Sequence, residues 1–511
     1  MQTLEKKILS GNCLIFLLIL SSLFPIKAYT QKTVKIELIN ANTFEFDKKI
    51  GKDVRRMLGN VIFKHDNIFL YCDSAYFYSK TNKVTAFSNV HIKINDTTDV
   101  YGDFLNYDGN NKIAKLHKNI KLIDNQTTLT TEHLVYNIKD NISNYYNGGK
   151  IVDPKNTLTS LTGHYYANTK EFFFKDSVVL VNPQYTIASD TLMYNTISEI
   201  AYFYGPTKIR SKENFIYCEN GWYDTRNDIS QYNKNAYFYN NKQTLKGDSL
   251  YYNRTIGFGK AFNNISIIDT AQNFIVKGNF AEYNETENIS VITDSTLLIL
   301  TGQPDSLFLH SDTIKIVSDT TQSVKTAHAF HKAKFYKNDI QGIADSIIYT
   351  FKDSLITMYS EPVLWSGKNQ ITADTIKLEL SNNEINTMHL FSNSFIISQL
   401  DSLYFNQIKG EEMTGHFINN KLKNIFVQDN AETIYFLVQE DSTLIGINKS
   451  ESSNMSIYIN NDNNVEKITF RYKPEATLYP EKELSQKETL LRNFKWMENK
   501  KPKNKLDIFK N

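Results

Sequence analysis

The stretch Leu58 to Phe87, LGNVIFKHDNIFLYCDSAYFYSKTNKVTAF, decides the fold, because the residues that follow it, Ser88 to Leu116 (SNVHIKINDTTDVYGDFLNYDGNNKIAKL), repeat its rhythm. Anchor residues Asn60, Asn89, Asn119, Gly148, Asp176, Gly205, Asn235 and Asn264 recur about every 29 residues. A period of that length marks a stacked array of supersecondary units. Within a unit a short apolar alternation (Val90, Ile92, Ile94) leads to a polar turn at Asn95 and Asp96. Next comes Gly102-Asp103-x-Leu105-x-Tyr107, then an Asn-rich turn and a second apolar run. Alternation with period two predicts strands.

The acid-centred block returns as Cys72-Asp73-Ser74-Ala75, as Thr131-Glu132-His133-Leu134-Val135-Tyr136 and as Ser189-Asp190-Thr191-Leu192-Met193-Tyr194. Two further copies are Gly247-Asp248-Ser249-Leu250-Tyr251-Tyr252 and Ala344-Asp345-Ser346-Ile347-Ile348-Tyr349. Regular units run to about Asp294; the spacing then stretches through Thr301 to Ser306 and Asp319 to Thr326. Lys332 to Tyr359, Glu361 to Leu380, Asn393 to Phe417 and Asn430 to Ile447 resume the pattern in longer units. The expected organisation is a signal peptide over 1–28, a β-repeat array over 33–294, a divergent continuation over 295–480, and a helical cap with a basic tail over 481–511. The expected fold class is all-β: an elongated tandem-repeat array of short antiparallel strands of about 5 to 7 residues, jellyroll-like or solenoid-like, with one short C-terminal helix.

At the N-terminus Lys6 and Lys7 precede the apolar run Cys13 to Phe24, then Pro25 and Ala28. That pattern predicts export with cleavage near Ala28, and retention as an uncleaved anchor is the alternative. Charged residues at 22% and a net charge of +2 supply no basic stripe, so nucleic acid is not an expected partner. Glycine (20) and proline (9) are scarce, so turns fall to Asn pairs such as Asn110-Asn111 and Asn419-Asn420. Asn tolerates the left-handed conformation and bonds to its own backbone. Cys72 and Cys218 occupy equivalent positions five repeats apart. Strand layers of about 4.8 Å then put them beyond the ~6 Å reach of a disulfide, so both are expected to be buried thiols. Ser485-Gln486-Lys487-Glu488 is a capping-box pattern ahead of Leu490, Leu491, Phe494 and Met497. It predicts a helix over about 486–499, read as a cap on the last unit or as a docking element.

Catalytic signatures are missing from the sequence: there is no nucleophile elbow, phosphate-binding loop, dinucleotide fingerprint or zinc-binding helix motif. His328 and His331, in a strand, face opposite ways and make a poor metal pair. No cofactor and no metal are expected. The acids Asp73, Asp103, Glu132, Asp190, Glu219, Asp248, Asp345 and Asp374 form a ladder, one per repeat. Stacked carboxylates can bind cations or act as acid and base. Their place beside Gly, Ser or Thr favours a structural role as strand-entry residues bonded to nearby backbone. A polysaccharide-active enzyme would need one distinctive carboxylate pair, and the ladder supplies none.

The motif G-N-V-x-F…L-x-C-D-x-A-x-F, repeated from Lys35 to about Asn288 and more weakly to about Ile447, resembles the organic-solvent-tolerance (OstA/LptA-like) family of lipopolysaccharide transport. The resemblance implies a twisted, open β-jellyroll with an apolar groove between two sheets. It also implies subunits joined end to end in a periplasmic bridge that carries lipopolysaccharide to the outer membrane. Implied partners are lipopolysaccharide through its acyl chains, other transport proteins of the same fold, and an outer-membrane barrel; the implied location is the periplasm or the outer membrane. Independently, an acyl chain costs about 0.8 kcal/mol per methylene in water, so its passage needs a continuous apolar lining. The shared alternation nominates Val61, Phe63, Val90, Ile92, Leu105, Ile120, Leu122, Leu134, Val179, Leu192 and Leu250. The competing readings are a dry core between two sheets and, at the level of function, an exported structural or adhesive β-solenoid that binds protein or glycan at the cell surface.

Overall fold

The computed structural model describes residues 34–46, 51–94, 98–240, 242–302, 305–319, 325–381, 384–439, 443–460, 465–480, 483, 485 and 487–510. Residues 1–28, the expected signal peptide, and Gln486 lie outside them. Among the described residues, thirty-six antiparallel strands and two single-turn 3₁₀ helices make up the regular structure. The chain divides into two compact units, 1–143 and 144–511. No helix among the described residues is long and apolar enough to cross a membrane.

In the first unit the strands are β1 (Glu37–Asn40), β2 (Thr43–Phe46), β3 (Val54–His65), β4 (Ile68–Tyr78), β5 (Lys83–Ile94), β6 (Thr98–Asp108), β7 (Ile113–Asp124) and β8 (Thr127–Asn137). Each of β3 to β8 pairs with the next, so one sequence repeat is one hairpin. Strands of 11 or 12 residues replace the expected runs of 5 to 7, because a bend divides each long strand into two short limbs. The chain passes between units at β9 (Ile142–Tyr145). Then follow β10 (Gly149–Val152), β11 (Thr157–Ser160), β12 (Thr162–Tyr166), β13 (Glu171–Val181), β14 (Tyr185–Asn195), β15 (Ile200–Ser211), β16 (Asn214–Asp224), β17 (Ile229–Asn240), β18 (Gln243–Asn253), β19 (Phe258–Asp269) and β20 (Phe274–Asn284). Further strands run from Ile289–Thr293 to Glu475–Tyr479 in the same up-and-down order.

The bend is written in the anchor residues. Gly59-Asn60, Ser88-Asn89, Lys118-Asn119, Lys234-Asn235 and Asn263-Asn264 each hold two successive positive φ angles, between 48° and 72°. The strand register shifts at the same places. Such φ values cost an L-residue roughly 1–2 kcal/mol, least for Asn, which is why Asn recurs there. Two inserted residues, unlike one, leave the inward parity unchanged. Val84 and Ala86 before the bend, and Val90, Ile92 and Ile94 after it, therefore all point inward and are buried.

The acids sit opposite these bends, in mid-strand and not at strand entry. Asn89, Asn119, Asn235 and Asn264 donate from Nδ2 to Asp73 (2.7 Å), Asp103 (2.6 Å), Glu219 (2.9 Å) and Asp248 (2.9 Å). Asn393 donates to both oxygens of Asp374. Glu132 accepts from the Asn119 backbone at 3.4 Å, Asp190 from Thr191 and Asp345 from Ser346. Just before each acid the inner position is small: Cys72, Gly102, Thr131, Ser189, Cys218, Gly247. The limbs diverge from this apex and leave little room; a Cβ at Gly278, the same position in β20, would lie 2.5 Å from Ile292 Cγ2. Both cysteines are free and buried, with thiols pushed up to about 12 by desolvation.

The C-terminal segment corrects the helix expectation. The Glu488 carboxylate accepts from Ser485 N, which is one half of a capping box, but Ser485 Oγ donates to the same carboxylate instead of accepting from Glu488 N; residues 487–497 form no helix, and only Glu498–Lys500 and Asp507–Phe509 close single 3₁₀ turns. Two buried sheet glutamines bond the backbone of this irregular segment. Gln407 accepts from Leu491 N (2.8 Å) and donates to Thr489 O (2.9 Å); Gln370 accepts from Met497 N (2.7 Å) and donates to Lys495 O (2.7 Å). Leu491, Phe494 and Trp496 meanwhile pack against Phe395, Ile397, Ile434, Phe436 and Ile447. Those side chains would be split between faces by helical periodicity. The segment therefore covers the outer face of one limb instead of capping the last strand, since Ile396, between Phe395 and Ile397, points into the inner core.

Candidate functional site

The interior between the two limbs is where the repeat gathers its apolar side chains. Limb A denotes the second halves of odd-numbered strands and the first halves of even-numbered ones, and limb B denotes the remainder. The limbs meet at the bends; their free ends carry the hairpin turns and face each other across a mouth.

In the first unit the interior is closed. Val61, Phe63, Val90, Ile92, Leu105, Ile120 and Leu134 are no more than 2% exposed, whereas Leu122, nearer the mouth, is half-buried. Contacts across the mouth hold the limbs together. His65 Nδ1 and Tyr107 Oη are hydrogen-bonded at 2.6 Å, and Lys112 Nζ lies 2.5 Å from Asp66 Oδ2. The Lys112 hydrogen bond holds the Asp66 carboxyl below its ordinary value against the opposing effect of partial burial. The chain start also lies across the mouth: Asn82 accepts from Ile36 N at 2.9 Å and donates to Val34 O at 3.2 Å, and Ile36 is buried.

In the second unit the same inner positions are filled differently. Leu192 and Leu250 are buried near the bend. Val179 is on the opposite face: it pairs with the exposed Ala188, while Val178 and Leu180 take the inward positions, Leu180 opposite the buried Ile187. The two inserted residues here are Asp176-Ser177, so the inward set is displaced by one from the choice made on apolarity alone. Along limb A the inner row Ile209, Ile216, Phe238, Leu245 and Ile267 is only half-buried, although Phe238, Leu245 and Ile267 pack against the core. Along limb B, Tyr194, Tyr223, Tyr252 and Tyr283 are half-buried as well. Small residues separate them in register: Tyr194 and Tyr223 flank Ala201, Tyr223 and Tyr252 flank Ser230, and Tyr252 and Tyr283 flank Gly259.

This accessible stretch ends at a buried ion pair. Asp269, at the end of β19 on limb A, bonds the ammonium of Lys325 from limb B; their side chains are 1% and 7% exposed. Gln243 Nε2 donates to the same carboxylate at 2.9 Å, and Phe274 meets Phe351 at 4.6 Å between ring centroids. Burial alone would raise the Asp269 carboxyl, yet the bonds from Lys325, Gln243 and the Gln272 amide bring it below its ordinary value. Further on, Asn420 donates to Asp339 Oδ2 at 2.5 Å, again joining the two limbs. The interior nearby leaves a space of about 10 Å³ among Phe335, Ile356 and Leu378, no more than about one water.

His328 bonds with Thr326, and His331 lies at a bend 3.5 Å from Asp345. Among the described residues no three metal-ligating groups converge. The sequence reading missed the contacts that cross the mouth and the limb A row of β15 to β19. It quoted Tyr107, Tyr136, Tyr194, Tyr252 and Tyr349, four residues after their acids, and assigned them no role.

Two family models match the sequence. One, described as OstA-like protein, covers residues 33–190 and 186–248; the other, described as LptA/(LptD N-terminal domain) LPS transport protein, covers 275–384. Together they span more than half of the chain. No curated protein matches at the level of the whole sequence. Among solved structures, LptH from Pseudomonas aeruginosa, titled the LptA-homologous periplasmic component of a lipopolysaccharide transport device, aligns at 12% identity. That alignment covers 23% of this chain and 82% of LptH, with a TM-score of 0.21.

Proposed function

Because this chain belongs to the OstA/LptA-like family of lipopolysaccharide transport proteins, we propose that it is a non-enzymatic periplasmic bridge or chaperone that moves lipopolysaccharide toward the outer membrane, its acyl chains held between the two limbs. The observation that supports this reading is the half-buried apolar row Ile209, Ile216, Phe238 and Leu245 facing a half-buried tyrosine row. Sequestering acyl methylenes against such a row recovers about 0.8 kcal/mol for each one fully removed from water. Leu192 and Leu250 line the interior of the second unit; Val61, Phe63, Val90, Ile92, Leu105, Ile120, Leu122 and Leu134 line that of the first, where they become accessible when the limbs part. The acid ladder serves the bends. Residues 1–28 direct export, 33–294 and 295–480 are the array and its continuation, and 481–511 cover the outer face.

Partners of the same jellyroll kind would join at the strand edges. β1 and β2 are exposed along their whole length, with Phe44 and Phe46 in the open, and Glu475–Tyr479 is nearly as exposed at the other end of the strand order. Unpaired edges of this kind accept a further strand. An outer-membrane barrel would receive the lipid.

Photoreactive residues at Ile216 and Phe238 of the full chain are expected to crosslink to lipopolysaccharide in cells, with less product at Phe63. Absence of product at all three positions sinks the reading. A second reading, an exported solenoid that binds glycan or protein at the cell surface, has one observation in its favour. On the outer face of the first unit Phe69, Tyr71, His91 and Tyr101 stack in turn, at 6.4, 5.3 and 4.4 Å. Surface labelling of intact cells would favour it.

A further inference from the structure

A tyrosine follows six of the eight mid-strand acids by four residues (Phe77 and Leu378 stand there after Asp73 and Asp374); it contributes nothing to the bend, yet it recurs at one place in the fold. It stands on the inner face of limb B, at the strand end beside the mouth. In β14, β16 and β18 these tyrosines are Tyr194, Tyr223 and Tyr252. Ala201 and Ser230 alternate with them in register. With strands about 4.8 Å apart, the rings recur roughly every 10 Å, with the small residues buried between them. Two of the hydroxyls are tethered at the level of the turns: Tyr223 donates to Asp228 Oδ1 (2.6 Å) and Tyr252 to Glu285 Oε2 (2.5 Å).

The result is a graded wall. The rings take the inward side of limb B and the apolar row Ile209, Ile216, Phe238 and Leu245 the inward side of limb A, while the Tyr223 and Tyr252 hydroxyls meet carboxylates at the level of the turns. Aromatic rings with a polar tip suit a boundary between apolar and hydrated matter. A bare hydrocarbon chain needs only the apolar row. Charges of both signs stand at this level: Asp228 and Glu285 accept from the tyrosine hydroxyls, while Arg226 lies by Tyr194 and Arg254 by Tyr252. What fits between ring faces with polar tips is hydroxyl-rich on its edges and C–H-rich on its faces, as a sugar ring is.

We propose that Tyr194, Tyr223 and Tyr252 form a saccharide rail, seating the sugar rings next to the acyl chains of a glycolipid while those chains lie on the limb A row. The proposal rests on the lipid-transport reading and adds a second point of recognition to it.

The test measures equilibrium binding of two ligands, lipopolysaccharide and palmitate, to the full exported chain. The variants are Tyr194→Ala/Tyr223→Ala/Tyr252→Ala, the corresponding triple Phe variant, single Tyr223→Ala in case the triple fails to fold, and Tyr251→Ala as an outward-facing control. Thermal melts establish that each is folded. Losing the rings is expected to weaken lipopolysaccharide binding about tenfold or more in the triple Ala variant, and about threefold in Tyr223→Ala, with palmitate unchanged. The Phe triple and Tyr251→Ala are expected to stay within about twofold of wild type. Equal loss for both ligands overturns the rail, because the rings would then merely line a hydrocarbon groove; unchanged lipopolysaccharide binding in a folded Ala variant overturns it too. If the wild-type chain binds neither ligand, the transport reading falls and the rail with it.

Discussion

Residues 54–137 of the first unit and 185–269 of the second are built from the same repeat, with the same bend and the same acid at the bend, yet their interiors differ. In the first, aliphatic side chains meet across the limbs and the mouth is tied shut by His65–Tyr107 and Asp66–Lys112. In the second, tyrosine alternates with Ala, Ser and Gly, and the inner rows stay half-buried until Asp269–Lys325 closes the mouth. The bend dictates where the limbs diverge, and the residues on the inner face dictate whether the space between them fills. One scaffold thus supports both a packed core and a half-buried inner face.

The comparison would be broken most directly by a charge placed in each interior. Phe63→Asp buries a carboxylate where the phenyl ring is 1% exposed and is expected to destabilise by about 4 kcal/mol or more. Phe238→Asp, on a half-buried row, should cost about 1–2 kcal/mol by the same denaturant measurement. Equal costs would mean that the two interiors are equally closed.

Removing the cations that tie the two mouths sharpens the contrast. Lys325→Met strands Asp269 in a buried site and is expected to cost about 3–5 kcal/mol, most of it recovered in the Asp269→Leu/Lys325→Met double variant. Lys112→Met leaves a partly hydrated Asp66 and should cost about 1 kcal/mol or less, fading as salt is raised.

The pH response should carry both signs. Asp66 and Asp269 are held below their ordinary value of 3.8, so the stability they contribute is full above that value and is lost as pH falls through their lower folded values. Tyr107, Tyr223 and Tyr252 are held above their ordinary 10.0, first by burial. Their contribution is therefore complete below pH 10 and declines above it. Melting temperatures across pH, with tyrosinate absorbance read in parallel, should show losses at both ends; ordinary titration of all tyrosines near 10 would contradict the alkaline part.

The smallest effect is expected where the repeat is most regular. Asp73→Ala removes an exposed acceptor from Asn89, and its cost should lie within about 0.5 kcal/mol, far below that of Phe63→Asp. A large loss of stability would make the ladder, and not the inner face, the feature that holds the repeat together.

Much of the fold could be read from spacing alone. The recurring Asn and Gly anchors turned out to be the left-handed bend residues, and the acid with Leu and then Tyr behind it marks a strand whose inner stripe resumes past the bend. Strand length was misjudged, because a bend that interrupts the alternation looks in sequence like the end of a strand. Val179 was misplaced, because Val178, Val179, Leu180 and Val181 are all apolar and only the two-residue insertion beside them tells which faces inward. The C-terminal capping-box pattern formed one of its two hydrogen bonds and no helix. Gln407 and Gln370, far away in sequence, offered the backbone other partners, and a flat apolar face offered more burial than a helix would have allowed.

The sequence by itself determined the all-β repeat, its period, the bend positions and the inward stripe, since these follow from residue-level preferences for φ and for alternation. Tertiary structure alone decided which inner stripes are shut and which stay accessible, and where the last segment lies. Those outcomes depend on contacts such as Asp269 with Lys325 and Gln407 with Leu491, made by residues too distant along the chain to leave a local signal.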